Sequence, residues 1–321
     1  MMGLIAFLVF ICGISIGASS VSIDRILPTL FGNGTFKEEF ILFTVRLPRV
    51  LLLSLAGMCL ALAGSILQTL TKNDLADPGI IGINAGAGVG ITIFYLLMDG
   101  GLTHFAYILP AVGFLSAIVT AAVIYFFAYD KEHGIQPVNL VLIGVGFASA
   151  LSGLMMLLIS SADRADVQFV AQWLAGSIWG ADWPFIWALL PWLVIALPII
   201  GRKTKTLNIL ALNEATAKGL GVYLKKERAI LLTIAVALAA AAVSVTGSLS
   251  FIGLIAPHIA KKLVGASHQR FIWLSMLIGA TFLVLADTIG RVVYSEATIP
   301  TGIVVAVIGA PYFIYLLKKA D

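Results

Sequence analysis

Few side chains in this chain of 321 residues could do chemistry, and the candidates are charged rather than nucleophilic or metal-binding. The four histidines, His104, His133, His258 and His268, do not stand at metal-ligand spacing, so no metal site is expected. Cys12 and Cys59 each lie inside an apolar run and read as small buried hydrophobes, neither a disulfide framework nor a thiolate site. Gly86-Ala-Gly88-Val-Gly90 has the look of a phosphate-binding loop, but no strand is predicted before it. No Gly-x-x-x-x-Gly-Lys-Ser/Thr exists anywhere in the chain, and close helix packing accounts better for these glycines. Nothing here hydrolyses a nucleotide, and no cofactor is implied.

What remains is electrostatics, in two groups. Arg46-Leu-Pro-Arg49 opens an apolar run, with Pro48 suited to a helix start. Asp287 lies inside another such run, one helical turn before Arg291. An unpaired acid there costs roughly 2.5–3.5 kcal/mol, so it should pair, and the i,i+4 spacing offers Arg291 directly. Guanidinium forks suit carboxylates, although arginines at helix ends also reach for lipid headgroups. A proton-relay role for Asp287 would call for a second intramembrane acid, and none accompanies it.

The second group is a polar island, Gly201–Arg228, with seven basic residues (Arg202, Lys203, Lys205, Lys218, Lys225, Lys226 and Arg228) against Glu214 and Glu227. Its middle predicts a short helix. Asn213 is a good N-cap and Glu214 suits the positive end of the dipole. Ala217 lies within the helix, Lys218 suits its negative end and Gly221 its stop. So short and polar a helix gains little stability alone and calls for a partner surface.

The elements that position these groups are membrane spans. The composition is 60% hydrophobic and 11% charged, and the mean hydropathy is +1.05. These figures exclude the soluble classes. Residues 1–321 read as a single all-α transmembrane domain with one polar loop at about 201–228. A bilayer core of about 30 Å needs roughly 20 apolar residues per helix. About ten spans are expected, near 1–20, 49–70, 85–98, 105–129, 138–160, 185–201, 229–249, 251–265, 271–294 and 302–317. Met1–Ser20 has no Lys or Arg before its apolar core, and Val9-Phe-Ile-Cys12 lacks the small residue that precedes a lipidated cysteine. It is expected to be the first membrane helix.

The third and eighth spans are short and crowded by glycine and proline. Breaks are expected at Pro78, Gly79, Gly86, Gly88 and Pro257, tolerated where protein or water covers the freed backbone. With both termini in the cytoplasm, fourteen of the twenty basic residues fall inside, including the whole island. The net charge of +4 then reflects topology rather than nucleic-acid binding. Trp173, Trp179, Trp183, Trp187 and Trp192 are expected in an outer interfacial belt. Arg49 and Arg228 open similar runs, with Pro78 and Pro257 following at equal distance. That suggests an inverted repeat of spans two to five on spans seven to ten, a common transporter plan.

Several signatures together resemble the permease subunits of ABC importers for iron–siderophores, haem and vitamin B12, over about Phe40 to Lys319. They are Arg46-Leu-Pro-Arg49; Asn73-Asp-Leu-Ala-Asp-Pro-Gly79 continuing to Asn84-Ala-Gly-Ala-Gly88; Leu212–Gly221; Phe251-Ile-Gly-Leu-Ile-Ala-Pro-His258; Leu285-Ala-Asp287 with Arg291; and Ile299-Pro-Thr-Gly302 leading to Gly309-Ala-Pro311. The chain departs from the pattern at Asn213, Asp74 and Ser250, where glycine, proline and glycine are commoner.

The resemblance implies that Arg46, Arg49 and Arg291 receive acidic residues of an extracellular or periplasmic substrate-binding (lipo)protein. Asn213–Gly221 would be a coupling helix resting on a separate ABC ATPase. Gln136-Pro137-Val138-Asn139 would lie at an inner gate, although the family's small hydroxyl residues are absent there. It further implies a bacterial plasma-membrane location, a second permease copy or paralogue, and an iron chelate as cargo, a ferric siderophore first, with haem or cobalamin as alternatives. The competing reading is a stand-alone ion- or proton-coupled carrier.

Overall fold

The computed structural model describes residues 2–16, 22–97, 105–130, 134–135, 137–178, 180–293 and 298–320, and they form an all-helical bundle. In chain order the helices are α1 (Met2–Ser15), α2 (Ile23–Leu30), α3 (Phe36–Phe40), α4 (Leu47–Thr71), α5 (Ile83–Leu97), α6 (Phe105–Ala128), α7 (Pro137–Ile159), α8 (Arg164–Leu174), α9 (Trp183–Leu210), α10 (Glu214–Gly219), α11 (Leu224–Thr246), α12 (Ile252–Val264), α13 (His268–Val292) and α14 (Thr301–Ala320). A π-helical stretch, Ile41–Arg46, joins α3 to α4, so that Phe36–Thr71 is one helical run. Residues Tyr129–Asp130 and Gly134–Ile135 pair as a two-residue antiparallel ladder between α6 and α7.

Helices dominate because a chain this apolar must satisfy its backbone groups internally once water is gone. A helix underlies each of the ten expected spans. Among the described residues seven helices are long and apolar enough to cross a bilayer, while α1 and α5 are shorter apolar helices and α12 has 13 residues. From α4 to α7 and again from α11 to α14 the helices run long, short, long, long.

α4, α11 and α13 form the interior. Glycines let their backbones approach: a side chain at Gly57 would strike the backbone of Gly279 on α13, and one at Gly64 would strike Gly253 on α12. Such small-residue contacts replace the hydrophobic drive that lipid cannot supply.

The chain breaks differ in part from expectation. Pro78–Ile81 is a 3-10 turn before α5, with the Asp77 carboxylate accepting from the Gly79 N–H at 2.8 Å. Gly86 and Gly88, expected as breaks, lie inside a continuous α5, where Gly86 makes room for Thr120 and Gly88 for Met155 and Trp173. Pro257 lies inside α12. The second break is instead at Gly247–Phe251, where Gly247 and Phe251 both have positive φ, the latter at +69°. The two breaks meet, since the Asn84 amide donates to Ser248 Oγ at 3.2 Å and to the Leu249 carbonyl at 3.3 Å.

Other expectations shift too. The polar island is mostly helical, because α9 continues to Leu210 and α11 begins at Leu224. Of the tryptophans expected in a belt, Trp173 is buried inside the bundle, Trp192 stacks on Phe114, Trp183 and Trp187 are exposed, and Trp179 lies outside the described residues. Cys59 is buried as expected, but Cys12 is exposed on α1.

Candidate functional site

Two polar constructions occupy opposite ends of α4. At the Arg49 end, Asp287 of α13 is 1% exposed and fully engaged. Arg49 Nη2 donates to its Oδ1 at 2.7 Å, and Arg49 Nε lies 3.1 and 3.2 Å from the two oxygens. Arg291 Nε donates to Oδ2 at 2.9 Å, and the Thr301 hydroxyl to Oδ1 at 3.0 Å. The expected Asp287–Arg291 pair is therefore one side of a larger cluster clamping α4, α13 and the start of α14. Burying these charges is tolerable because each carboxylate oxygen has more than one donor.

The three arginines are brought together but are not equivalent. Arg291 spends Nη1 on the Ile16 carbonyl at 2.9 Å and Nη2 on the Gly13 carbonyl at 3.0 Å. Arg46 Nη1 donates to the same Ile16 carbonyl at 2.9 Å, and this residue is buried. These bonds satisfy carbonyls at the α1 end that the helix leaves without partners. Arg49 keeps about a quarter of its side chain exposed (23%), so it is the arginine that presents charge outward. Within this cluster three guanidiniums stand against one carboxylate. The Arg49–Asp287 bond was not legible in the sequence, because it joins residues 238 apart. Thr301 stood in a quoted motif without a chemical role.

At the other end of α4 lies α10. The Asn213 side chain accepts from the Thr216 N–H at 2.7 Å, the cap expected. Gly221 has φ +81° and closes the helix, with its N–H on the Lys218 carbonyl at 2.9 Å. Ala217 is buried and roots the helix, while Glu214 and Lys218 are exposed. Glu214 pairs with Arg228 at 2.7 Å, and that contact holds its carboxyl below the ordinary carboxylate range. Around α10, Leu212, Leu220 and Tyr223 are exposed large apolar residues.

The α10 region is tied to the bundle. Lys72 Nζ donates to the Leu212 carbonyl at 2.6 Å, and Lys261 pairs with Asp74 at 2.6 Å and reaches Gln68 at 3.0 Å. His268, at the start of α13, hydrogen-bonds Thr69 of α4 at 2.7 Å and Asn208 of α9 at 2.6 Å. Of the expected inner gate, Val138 and Asn139 are exposed at the start of α7, and Pro137 begins that helix. Gln136 lies outside the described residues. Val138 lines a cavity of about 270 Å³ with Thr71, Asn73 and Asp77.

A family model described as the FecCD transport family matches residues 4–319. The chain belongs to that family. It is 41% identical to the iron(3+)-hydroxamate import system permease protein FhuG of Bacillus subtilis (strain 168), across 99% of this chain and 95% of that protein. It is 35% identical to the Fe(3+) dicitrate transport system permease protein FecD of Escherichia coli (strain K12), across 88% and 86%. Among solved structures, an ABC transporter assigned to the metal-chelate type, in an inward-facing conformation, matches with a TM-score of 0.86 and 31% identity over 99% of this chain and 97% of that one. The chain is thus a multi-pass membrane permease of the ABC-importer class.

Proposed function

We propose that this permease carries a ferric chelate, a siderophore or citrate complex, across the bacterial plasma membrane with its termini and α10 in the cytoplasm. An extracellular binding protein delivers the chelate at the arginine end. A separate ATPase presses on α10, and a second permease copy or paralogue completes the wall of the route. The observation that carries this reading is α10 itself. It is a capped six-residue helix, rooted by buried Ala217, ringed by exposed Leu212, Leu220 and Tyr223, and unable to stand on its own propensity. Iron specificity is supported by the names of the relatives, hydroxamate and citrate importers among them.

Docking of an acidic partner is supported by the excess of arginine over Asp287, with Arg49 as the group first met. The exposed faces of α6, α7 and α14 support a neighbouring membrane subunit. Asp287 argues against the stand-alone carrier, because two arginines and Thr301 hold the carboxylate that a proton-coupled cycle would need free.

The test is co-purification followed by transport. Tagged permease, extracted mildly, should bring down an ATPase and a binding protein identifiable by mass spectrometry. The reconstituted complex should take up ferric hydroxamate or ferric citrate only with ATP. Exchanging the charges, Glu214→Lys with Lys218→Glu, should leave binding-protein docking intact while separating ATP hydrolysis from uptake. Uptake by the permease alone without nucleotide would overturn the reading.

A further inference from the structure

The two chain breaks are joined by a side chain to which the sites above give no role. Asp77 is buried at the head of the 3-10 turn, and its carboxylate accepts from the Gly79 N–H and also from the Phe251 N–H. Burial pushes the Asp77 carboxyl up to about 6, and these two donors act against that rise. Phe251 has a left-handed backbone at φ +69°. That conformation is costly for a bulky residue and persists only where the surroundings enforce it. Asp77 holds the N–H, and Gly309 of α14 receives the side chain: a Cβ at Gly309 would lie 2.8 Å from the Phe251 Cβ. The Phe313 ring of α14 follows, with its centroid 6.2 Å from that of Phe251.

What Phe251 seats is half a helix. Pro311 lies inside α14, where its missing N–H and its ring weaken the helix locally. The half before Pro311 is bound into the bundle. Thr301 donates to Asp287, Gly302 packs on the backbone of Ala175 and Gly176, and Val305 is buried in the main core. The half after Pro311 packs differently. Tyr312, Phe313 and Leu316 join Leu254 and Ile255 of α12 in a separate apolar cluster. Phe251 touches both that cluster and the main core.

We infer that Asp77 and Phe251 form a latch on α14. With Phe251 held left-handed, the second half of α14 is seated on α12; with Phe251 released, that half swings about Pro311. Asp77 is thus a positioning residue that acts through Phe251. Its loop is tied to the surroundings of α10 by Lys72, whose Nζ donates to the Leu212 carbonyl, so a displacement of α10 bears on the latch. Use of the latch in a transport cycle rests on the ATP-driven reading above, whereas the latch itself does not.

The test measures distances between spin-label pairs on the permease in lipid nanodiscs, in a Cys12→Ala background, since Cys59 is buried. Val194→Cys on α9 with Ile314→Cys reports the second half of α14, and Val194→Cys with Val307→Cys reports the first; all three positions are exposed. Asp77→Ala should add a second distance for the Ile314 pair and none for the Val307 pair. Asp77→Asn should keep the parent trace, because its amide oxygen still accepts from the same N–H groups. Phe251→Ala should reproduce Asp77→Ala, and it decides the matter if that variant fails to fold. A shift in both pairs, in the Val307 pair alone or in neither overturns the latch, as does an Asp77→Asn trace equal to that of Asp77→Ala. In the parent complex, trapping with ATP and vanadate should bring out the same second distance for the Ile314 pair. A complex that hydrolyses ATP and never shows that distance overturns the latch as a moving part. A preparation without any ATPase counts against the ATP-driven reading, and the variants then decide the latch by themselves.

Discussion

α4 and α7 are both apolar helices of similar length, yet they live in different surroundings. The best spanning window of the run containing α4 is 78% buried inside the chain, against 11% for α7. α11 and α13 go with α4, at 67% each, while α6 and α14 go with α7, at 28% each. Hydropathy does not separate the two groups. Glycine contacts do separate α4 from α7. Gly57 and Gly64 sit where backbones touch, whereas Gly146 and Gly153 of α7 have nothing within 4 Å of a would-be side chain. One half of the molecule is a finished rigid core, and the other is a face left for something else to cover. Both polar constructions are anchored on the finished half, which gives the proposed docking and coupling ends a stiff common support.

The sharpest way to break this contrast is to add bulk to the finished half. Gly64→Leu drives a side chain into the Gly253 carbonyl, and neither backbone can retreat without unseating α12. The expected cost is about 3 kcal/mol or more, at the upper end for overpacking. It should appear as loss of folded permease in a detergent thermal melt or in membrane yield. A melting temperature equal to the parent's would mean the α4–α12 contact is looser than described.

Next in size is the ion cluster. Asp287→Ala leaves Arg49 and Arg291 facing each other across α4 and α13, and removing one member of a buried set costs about 3–5 kcal/mol. A double-mutant cycle tests the geometry: in the Asp287→Ala background, Arg49→Ala should cost much less than it does alone. Additive losses would show that Arg49 and Asp287 do not meet.

How far the sequence disclosed this arrangement depends on distance along the chain. The all-helical class followed from apolar runs whose backbone has nowhere else to bond. The Asn213 cap and the Asp287–Arg291 spacing were also visible, because they are local. The Arg49 side of the cluster was not, since it exists only once α4 lies against α13. Gly86 and Gly88 carried two expectations, chain break and close helix contact, because one residue type serves both, and only the contact is found. The true second break falls partly on Phe251, a residue that composition would not nominate for positive φ. The short helices α2 and α3 escaped because, at eight and five residues, they fall well below the apolar length that marks a membrane span.

A smaller effect is expected at α10, which stands at the edge of the finished half. Asn213→Ala removes the bond to the Thr216 N–H, a loss of about 1 kcal/mol confined to one short helix. Hydrogen exchange of residues 214–221 should report it better than a global melt. The Glu214–Arg228 pair adds a pH dependence of known sign. The Glu214 carboxyl is held low by Arg228, so its contribution is complete above the ordinary carboxylate range and is lost as pH falls through the depressed value. Protection of α10 should therefore drop on acidification below about pH 4 in the parent, and a Glu214→Gln variant should lack that step.

The smallest stability effect belongs to the open face, and it separates the two halves most cleanly. At Gly153 an added methyl meets nothing within 4 Å, and alanine is the better helix former by up to about 1 kcal/mol. Gly153→Ala should leave the melting temperature unchanged or slightly raised, the reverse of the same kind of change at Gly64. Gly153→Trp should also fold, since space rather than packing surrounds the site. If this face is where a second subunit and the passing chelate are met, the tryptophan variant should lose uptake while keeping its fold. Normal uptake with tryptophan in place would mean α7 faces only lipid, and the route would then have to be sought on another side of the bundle.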